Sequence, residues 1–316
     1  MKNKLSSYLG ALAAGAALLT VTACGGNATA TAASGAASSI TVDHAQGSTA
    51  NVPVNPARVF TFDLGVLDTL DALGVEPAGV PEAGYPASLS KYADAKYEKI
   101  GSLKEPDFEA VSAGAPDLII ISGRTAGAYE ELSKIAPTID LSIDAANPME
   151  SFKDQTEKLG AIFNKTGEVD AKLAGVDATI AATKAKAADA GKGLIVLTSG
   201  GEVTAYGAGS RFGLIHDVLG VPTAADVKAD GSHGESVSFE YIKQVNPDLL
   251  YVINRDTAIG SEAAGGNPVL DNELVRSTNA AKNNKIISLD PAAWYIVGYG
   301  LNNVEAMVNA VADSVA

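Results

Sequence analysis

Little in this chain supports chemistry by cysteine, histidine clusters or positive charge. Its 316 residues include one cysteine, Cys24, and three histidines, His44, His216 and His233. A lone cysteine excludes a disulfide framework. A zinc or manganese site would need three or four clustered histidines and carboxylates. Only His233 lies in a suitable stretch, the polar loop Asp230-Gly-Ser-His-Gly-Glu. Basic residues are outnumbered, giving a net charge of −14, so the chain has no electrostatic footprint for nucleic acid or an anionic membrane surface. No Gly-x-Ser-x-Gly elbow is present, and the glycine-rich loop Gly207–Gly213 lacks the Gly-Lys-Ser/Thr of a phosphate-binding loop. These absences argue against a hydrolase, and the expectation is a protein that is not an enzyme. The apolar run Leu9–Val21 is too short to span a membrane comfortably.

What is present begins with a repeat. Residues 107–124 and 238–255 align without a gap. Glu109 pairs with Glu240, Pro116-Asp117-Leu118 with Pro247-Asp248-Leu249, and Arg124 with Arg255, always 131 residues apart. That spacing is too long for a solenoid and implies a duplicated lobe. In each copy a short helix carries Phe and Glu. A Pro-Asp turn ends it, and an apolar run follows that reads as a strand buried on both faces. The arginine sits just past the strand's C-terminal end, the edge at which open α/β sheets bind ligands.

Lys2 and Lys4 precede the apolar run, and Val21-Thr-Ala-Cys24 ends it. A basic start, a short apolar core and small residues form a secretory signal. The stretch resembles the lipobox of bacterial lipoproteins, which implies a signal peptide over 1–23 and a lipidated Cys24. Loss of Lys2 and Lys4 takes the net charge from −14 to −16. Residues 24–39 are small and polar and read as a flexible tether. Alternating strands and helices then predict an N-terminal α/β lobe over 40–147, connecting helices over 148–190 and a C-terminal α/β lobe over 191–316. Asn147-Pro148-Met149-Glu150 is a helix start, and a second helix from Gly167 to about Ala190 would be ~36 Å long, a stiff connector. In the second lobe Ser210 reads as an N-cap, which places Arg211 at a helix start beside loop amides. His44 reads as solvated and His216 as packed, whereas His233 suits a ligand-facing position. Trp294, the only tryptophan, and Tyr295 follow a strand and fit either the core or a ligand-facing surface.

Together these features resemble the substrate-binding lipoproteins of iron–siderophore ABC importers, the periplasmic-binding-protein class with a rigid connecting helix (class III). The catecholate-type branch is matched by Ile121-Ser-Gly-Arg124, Gly209-Ser-Arg211-Phe-Gly-Leu-Ile-His-Asp, His233-Gly-Glu-Ser-Val, Ile253-Asn-Arg255 and Trp294-Tyr295. The resemblance implies an α/β fold of two Rossmann-like lobes with parallel sheets. It implies a ligand that is an Fe(III)–siderophore complex, with no intrinsic cofactor. Arg124, Arg211 and Arg255 would face the anionic chelate with Trp294 beside them, and His233 and Tyr295 would complete the coordination of Fe3+. Asn254 stands where an Asp often precedes the last arginine. Glu109 and Glu240 would dock to an ABC permease dimer served by a cytoplasmic ATPase. The protein would be a monomer on the outer face of the cytoplasmic membrane, held only by its lipid anchor. A haem or cobalamin binder of the same fold is the alternative, one that needs no arginine triad.

Overall fold

A computed structural model describes residues 38–228, 234–261 and 268–316. The expected leader, the lipidation site Cys24, nearly all of the tether, and His233 lie outside these residues. Among the described residues no helix is long and apolar enough to cross a membrane.

The described chain opens with an antiparallel hairpin, β1 (Ser39–His44) and β2 (Gly47–Pro53). Next come β3 (Val59–Thr61), α1 (Leu64–Ala72), β4 (Gly79–Glu82), β5 (Glu98–Ser102), α2 (Phe108–Gly114), β6 (Leu118–Ile121), α3 (Tyr129–Leu132) and β7 (Thr138–Asp140). These strands form a parallel sheet in the order β5-β4-β3-β6-β7. The order reverses between β3 and β6, so the first crevice opens beyond their carboxyl ends. A gap separates α1 from β4, which begins only at Gly79. Val75 N donates to Leu70 O and Gly74, at φ 68°, donates to Asp71 O, a helix stop that uses up both residues. Pro77 then offers no donor, and pairing begins at Gly79.

The connectors α4 (Pro148–Ile162) and α5 (Thr166–Ala187) follow, with Asn164 at φ 53° breaking the path between them. At 22 residues α5 is ~33 Å long. A second sheet has the order β10-β9-β8-β11-β12, from β8 (Gly193–Ser199), β9 (Glu202–Tyr206), β10 (Glu235–Val237), β11 (Leu249–Asn254) and β12 (Ile286–Ser288). Its strands β8, β11 and β12 are parallel, but β9 runs antiparallel both to β8 and to β10. The two-residue Gly200-Gly201 turn forces this, since a parallel crossover needs a dozen or more residues. Between and after these strands lie α6 (Phe239–Val245), α7 (Arg255–Ala258), α8 (Glu273–Arg276), α9 (Asn279–Lys282) and α10 (Leu301–Ser314).

The two copies of the repeat fold alike, residue for residue. Asp107 and Ser238 cap α2 and α6, and the left-handed Ala115 and Asn246 end them. Each following Asp then reaches sideways. Asp117 Oδ2 accepts from Arg58 N at 2.8 Å, and Asp248 Oδ2 accepts from Lys192 N at 3.0 Å. The Asp of each Pro-Asp pair therefore ties its strand to the start of the neighbouring central strand.

One continuous apolar core runs through both halves. It includes Val59 and Leu118 of the first sheet, Phe152 and Leu173 of the connectors, Ile195 and Tyr251 of the second sheet, and Val304 and Val308 of α10. Burying each such side chain is worth about 1.5–3 kcal/mol. Both sheets, the connectors and α10 thus contribute to one core. α10 is also bonded to α1. Asp68 Oδ2 accepts from Asn302 N and Asn303 N at 2.8 and 2.9 Å, and Thr69 Oγ1 accepts from Leu301 N at 3.1 Å. Burial pushes Asp68 up to about 6. The approach is close enough that a Cβ on Gly300 would lie 2.6 Å from Asp68 Oδ2.

Candidate functional site

A cleft of about 240 Å³ lies between the carboxyl edge of the first sheet and the π-helical turn Ala293–Val297 that follows β12. Arg124, Arg211, Trp294 and Tyr295 are on its walls, with Asp63, Ser122 and Gln155. Arg255 is on the far side of Tyr295 and reaches the same residue from there.

Tyr295 organises the three arginines. Its backbone carbonyl accepts from Arg124 Nη2 at 3.2 Å and Arg211 Nη2 at 3.1 Å. Its phenol oxygen accepts from Arg255 Nε at 2.7 Å. Its ring carries the Arg211 guanidinium at 4.7 Å from the centroid and that of Arg255 at 5.6 Å. Arg124 also donates to Ile296 O at 3.3 Å. Arg124 comes from the end of β6 and Arg255 from the end of β11, so equivalent positions in the duplicated halves meet on one residue, Arg124 on its backbone and Arg255 on its side chain. Arg255 bridges the crevice of the second sheet as well, through Nη1 to Ser199 Oγ at 3.1 Å. Asp256 steadies that serine by accepting from its hydroxyl and from Gly200 N.

Charge in the cleft is weakly compensated. Arg58 and Arg276 each hold a carboxylate elsewhere on the surface, whereas among the described residues the three cleft arginines hold none. The hydrogen bond to Tyr295 raises Arg255 above its ordinary value. Arg211 is open to solvent at the cleft mouth, yet its guanidinium is walled by aromatics, and this desolvation lowers it. Both stay cationic at any physiological pH. Asp63 is the acid of the cleft. Its Oδ1 accepts from Gly65 N and Val66 N at 2.8 and 3.0 Å, capping α1. Burial pushes its carboxyl up, opposed by the α1 amide of Val66 and by Arg124. Sequence reasoning overlooked Asp63. The signal was its position just after β3, at a sheet switch point.

Several expectations need correction. Arg211 does not open a helix: it lies in a turn, and the helical segment starts at Leu214. Ser210 is diverted because its hydroxyl donates to Gly207 O at 2.6 Å. The loop amides are also occupied, Gly209 N by Asp217 Oδ2 at 2.7 Å and Gly213 N by Ser210 O. The guanidinium, not the backbone, is what this loop presents. Asn254 caps α7 by accepting from Thr257 N, which holds the helix that begins at Arg255. Trp294 is 4% exposed and belongs to the core, forming the cleft's floor. His216 is packed as expected, bonded through Nδ1 to Val221 O and lowered by burial. His44 is half-buried against Tyr129 and bonded to Thr49, not solvated. Glu109 and Glu240 are exposed on α2 and α6, away from the cleft. Among the described residues no group of three His, Cys, Asp or Glu is placed to hold a metal.

Comparison with known proteins agrees with this geometry. The petrobactin-binding protein YclQ of Bacillus subtilis (strain 168) is 46% identical over 299 residues, covering 93% of this chain and 94% of its own. The ferric-anguibactin-binding protein FatB of Vibrio anguillarum is 35% identical over 283 residues, 86% of each chain. Among solved structures, that of YclQ superposes with a TM-score of 0.84 at 47% identity, over 88% of this chain and 99% of that one. The periplasmic catecholate-siderophore binding protein VctP of Vibrio cholerae gives 0.82 at 37% identity, over 87% and 99%. A profile of periplasmic binding proteins matches residues 59–293, most of the folded body, and the chain belongs to that family.

Proposed function

We propose that this protein captures a ferric catecholate-type siderophore in the arginine-lined cleft and delivers it to an ABC permease. The observation that carries the reading is the convergence of Arg124, Arg211 and Arg255 on Tyr295 with no paired carboxylate among the described residues. A ferric tris-catecholate carries three negative charges, and planar guanidinium forks match catecholate oxygens better than ammonium groups do. The names of the relatives support an iron-chelate ligand.

Tyr295 has a second task in this reading. Fe(III) is hard and takes phenolate oxygen well, with imidazole as a borderline partner. A chelate that leaves positions open would be completed by Tyr295 and by His233. The Arg255 Nε donor already sits 2.7 Å from the phenol oxygen and holds it at the cleft. Trp294 supports the turn that presents Tyr295. Glu109 and Glu240 occupy matching positions on the two halves and dock to the two permease subunits. Residues 40–147 and 191–316 act as lobes joined by the 148–190 connectors, and lipidated Cys24 holds the body outside the cytoplasmic membrane.

The test is a titration of Trp294 fluorescence with ferric and metal-free siderophores. Ferric catecholates should quench it at submicromolar concentration, and metal-free ligands far less. Quenching by haem or cobalamin with no response to ferric catecholates would overturn the reading.

A further inference from the structure

The β1–β2 hairpin packs against β7, the edge strand of the first sheet, and one imidazole holds its tip there. The tip is the two-residue turn Ala45-Gln46. Ala45 N donates to Asp140 O at 3.0 Å and Gln46 Nε2 to Asp140 Oδ2 at 2.9 Å, at the end of β7. His44 closes the turn from inside. Gln46 N donates to its Nδ1 at 3.2 Å, and its Nε2 lies 2.8 Å from Thr49 Oγ1. The same Asp140 reaches towards the cleft. Its Oδ1 accepts from Ser142 N at 2.9 Å and from Ser142 Oγ, and Ser142 O accepts from Gln155 Nε2. Leu141, Ile143 and Gln155 line the cleft.

The partners fix where the protons are. The Thr49 hydroxyl has one hydrogen, and it goes to Thr138 O at 2.7 Å, a group that only accepts. Thr49 Oγ1 must therefore accept from His44 Nε2, which carries a hydrogen. Nδ1 accepts from an amide, so it carries none, and the ring is neutral in a single tautomer. A second proton can go only to Nδ1, where it faces the Gln46 N–H, donor against donor. A polar cavity of about 260 Å³ beside the ring, lined by Asp43, Asp140, Asp154 and Lys158, gives that proton a route in. Around the imidazole, β1 brings Asp43, β7 brings Asp140, α3 brings the Tyr129 ring, and α4 brings Lys158, itself paired with Asp154. Burial has the largest effect and lowers His44 from its ordinary 6.5; Lys158 adds to this, and the carboxylates of Asp140 and Asp43 oppose it.

We propose that the β1–β2 hairpin is a proton-operated strap: protonation of His44 in acid frees the tip from β7 and slackens the wall of the cleft at Leu141 and Ile143. The strap is independent of which ligand the cleft holds. Its fold favours the neutral ring, so its hold is full above pH 6.5 and is lost as pH falls through the lowered value of His44. A free imidazole is about 97% protonated at pH 5, so acid can favour release by at most about 30-fold there.

The experiment is amide hydrogen exchange of the ligand-free protein at pH 7.5 and pH 5, corrected for the intrinsic effect of pH. In wild type the protection of Ala45 N and Ser142 N should fall about tenfold on acidification, while the amides of β11 keep theirs. In His44→Asn the side-chain oxygen can still accept from Gln46 N and takes up no proton, so protection should not change with pH. Nitrogen NMR of the wild-type ring gives a check that needs no variant. At pH 7.5 the hydrogen should be on Nε2, and the titration midpoint should lie below 6.5. Unchanged wild-type protection at Ala45, or an equal fall in the variant, would overturn the proposal, as would a ring protonated on Nδ1 at pH 7.5. Loss at Ala45 with none at Ser142 would overturn the link to the cleft.

Discussion

Arg255 gives the sharpest test of how the cleft holds its ligand. Its Nε donates to the Tyr295 phenol at 2.7 Å and its Nη1 to Ser199 Oγ at 3.1 Å, so the fork is aimed in two directions before any ligand arrives. Arg255→Ala removes one of three cations facing a trianionic chelate and leaves the phenol without its donor. Losing one partner of a desolvated charge pair costs about 2–4 kcal/mol. Arg255 is partly exposed, and salt screens it there, so the lower end applies: about 2 kcal/mol, or about 30-fold in Kd. Arg255→Lys keeps the charge but can satisfy only one of the two partners. It should lose about 1 kcal/mol, about fivefold. Quenching of Trp294 by a ferric tris-catecholate measures both variants, and the loss in the Ala variant should shrink in high salt. Binding by Arg255→Ala within twofold of wild type would refute the reasoning. Equal losses in the Lys and Ala variants would show that shape, not charge, is at work.

Other consequences can be checked separately. If Tyr295 ligates iron, a tetradentate ferric chelate should shift its charge-transfer band on binding and Tyr295→Phe should abolish most of the shift; identical free and bound spectra would rule ligation out. Glu109→Ala combined with Glu240→Ala should leave chelate affinity unchanged and abolish iron uptake in cells, and normal import would remove the docking role. Asp68 is raised to about 6 by burial, above its unfolded value of 3.8, so its stabilising contribution is full below pH 3.8 and is lost as pH rises through 6. Relative to Asp68→Asn, wild type should therefore lose up to ~3 kcal/mol in urea unfolding between pH 4 and pH 7; a constant difference would contradict the burial argument. Gly300→Ala should cost about 1–3 kcal/mol, read as a lower Tm, because its Cβ would enter the contact with Asp68 and Gly65 O.

The sequence by itself determined the α/β class, the duplication and the residues that end its strands. Helix caps, Pro-Asp turns and β-branched runs act over a few residues, so Asp107, Pro116 and Leu118–Ile121 are legible locally, and a spacing of 131 residues exposes their second copy. It also pointed to the arginines, because strand ends are where such sheets bind. What only the tertiary structure decided is who meets whom. That Tyr295 carries three guanidinium groups depends on bringing a turn after β12 against strand ends 40 and 171 residues away. The diversion of Ser210 and the use of Asp217 on Gly209 N were equally out of reach. Ser210 and Gly209 are claimed by partners only three and eight residues away, but several polar groups compete for them, and a short-range pattern carries no record of which partner wins.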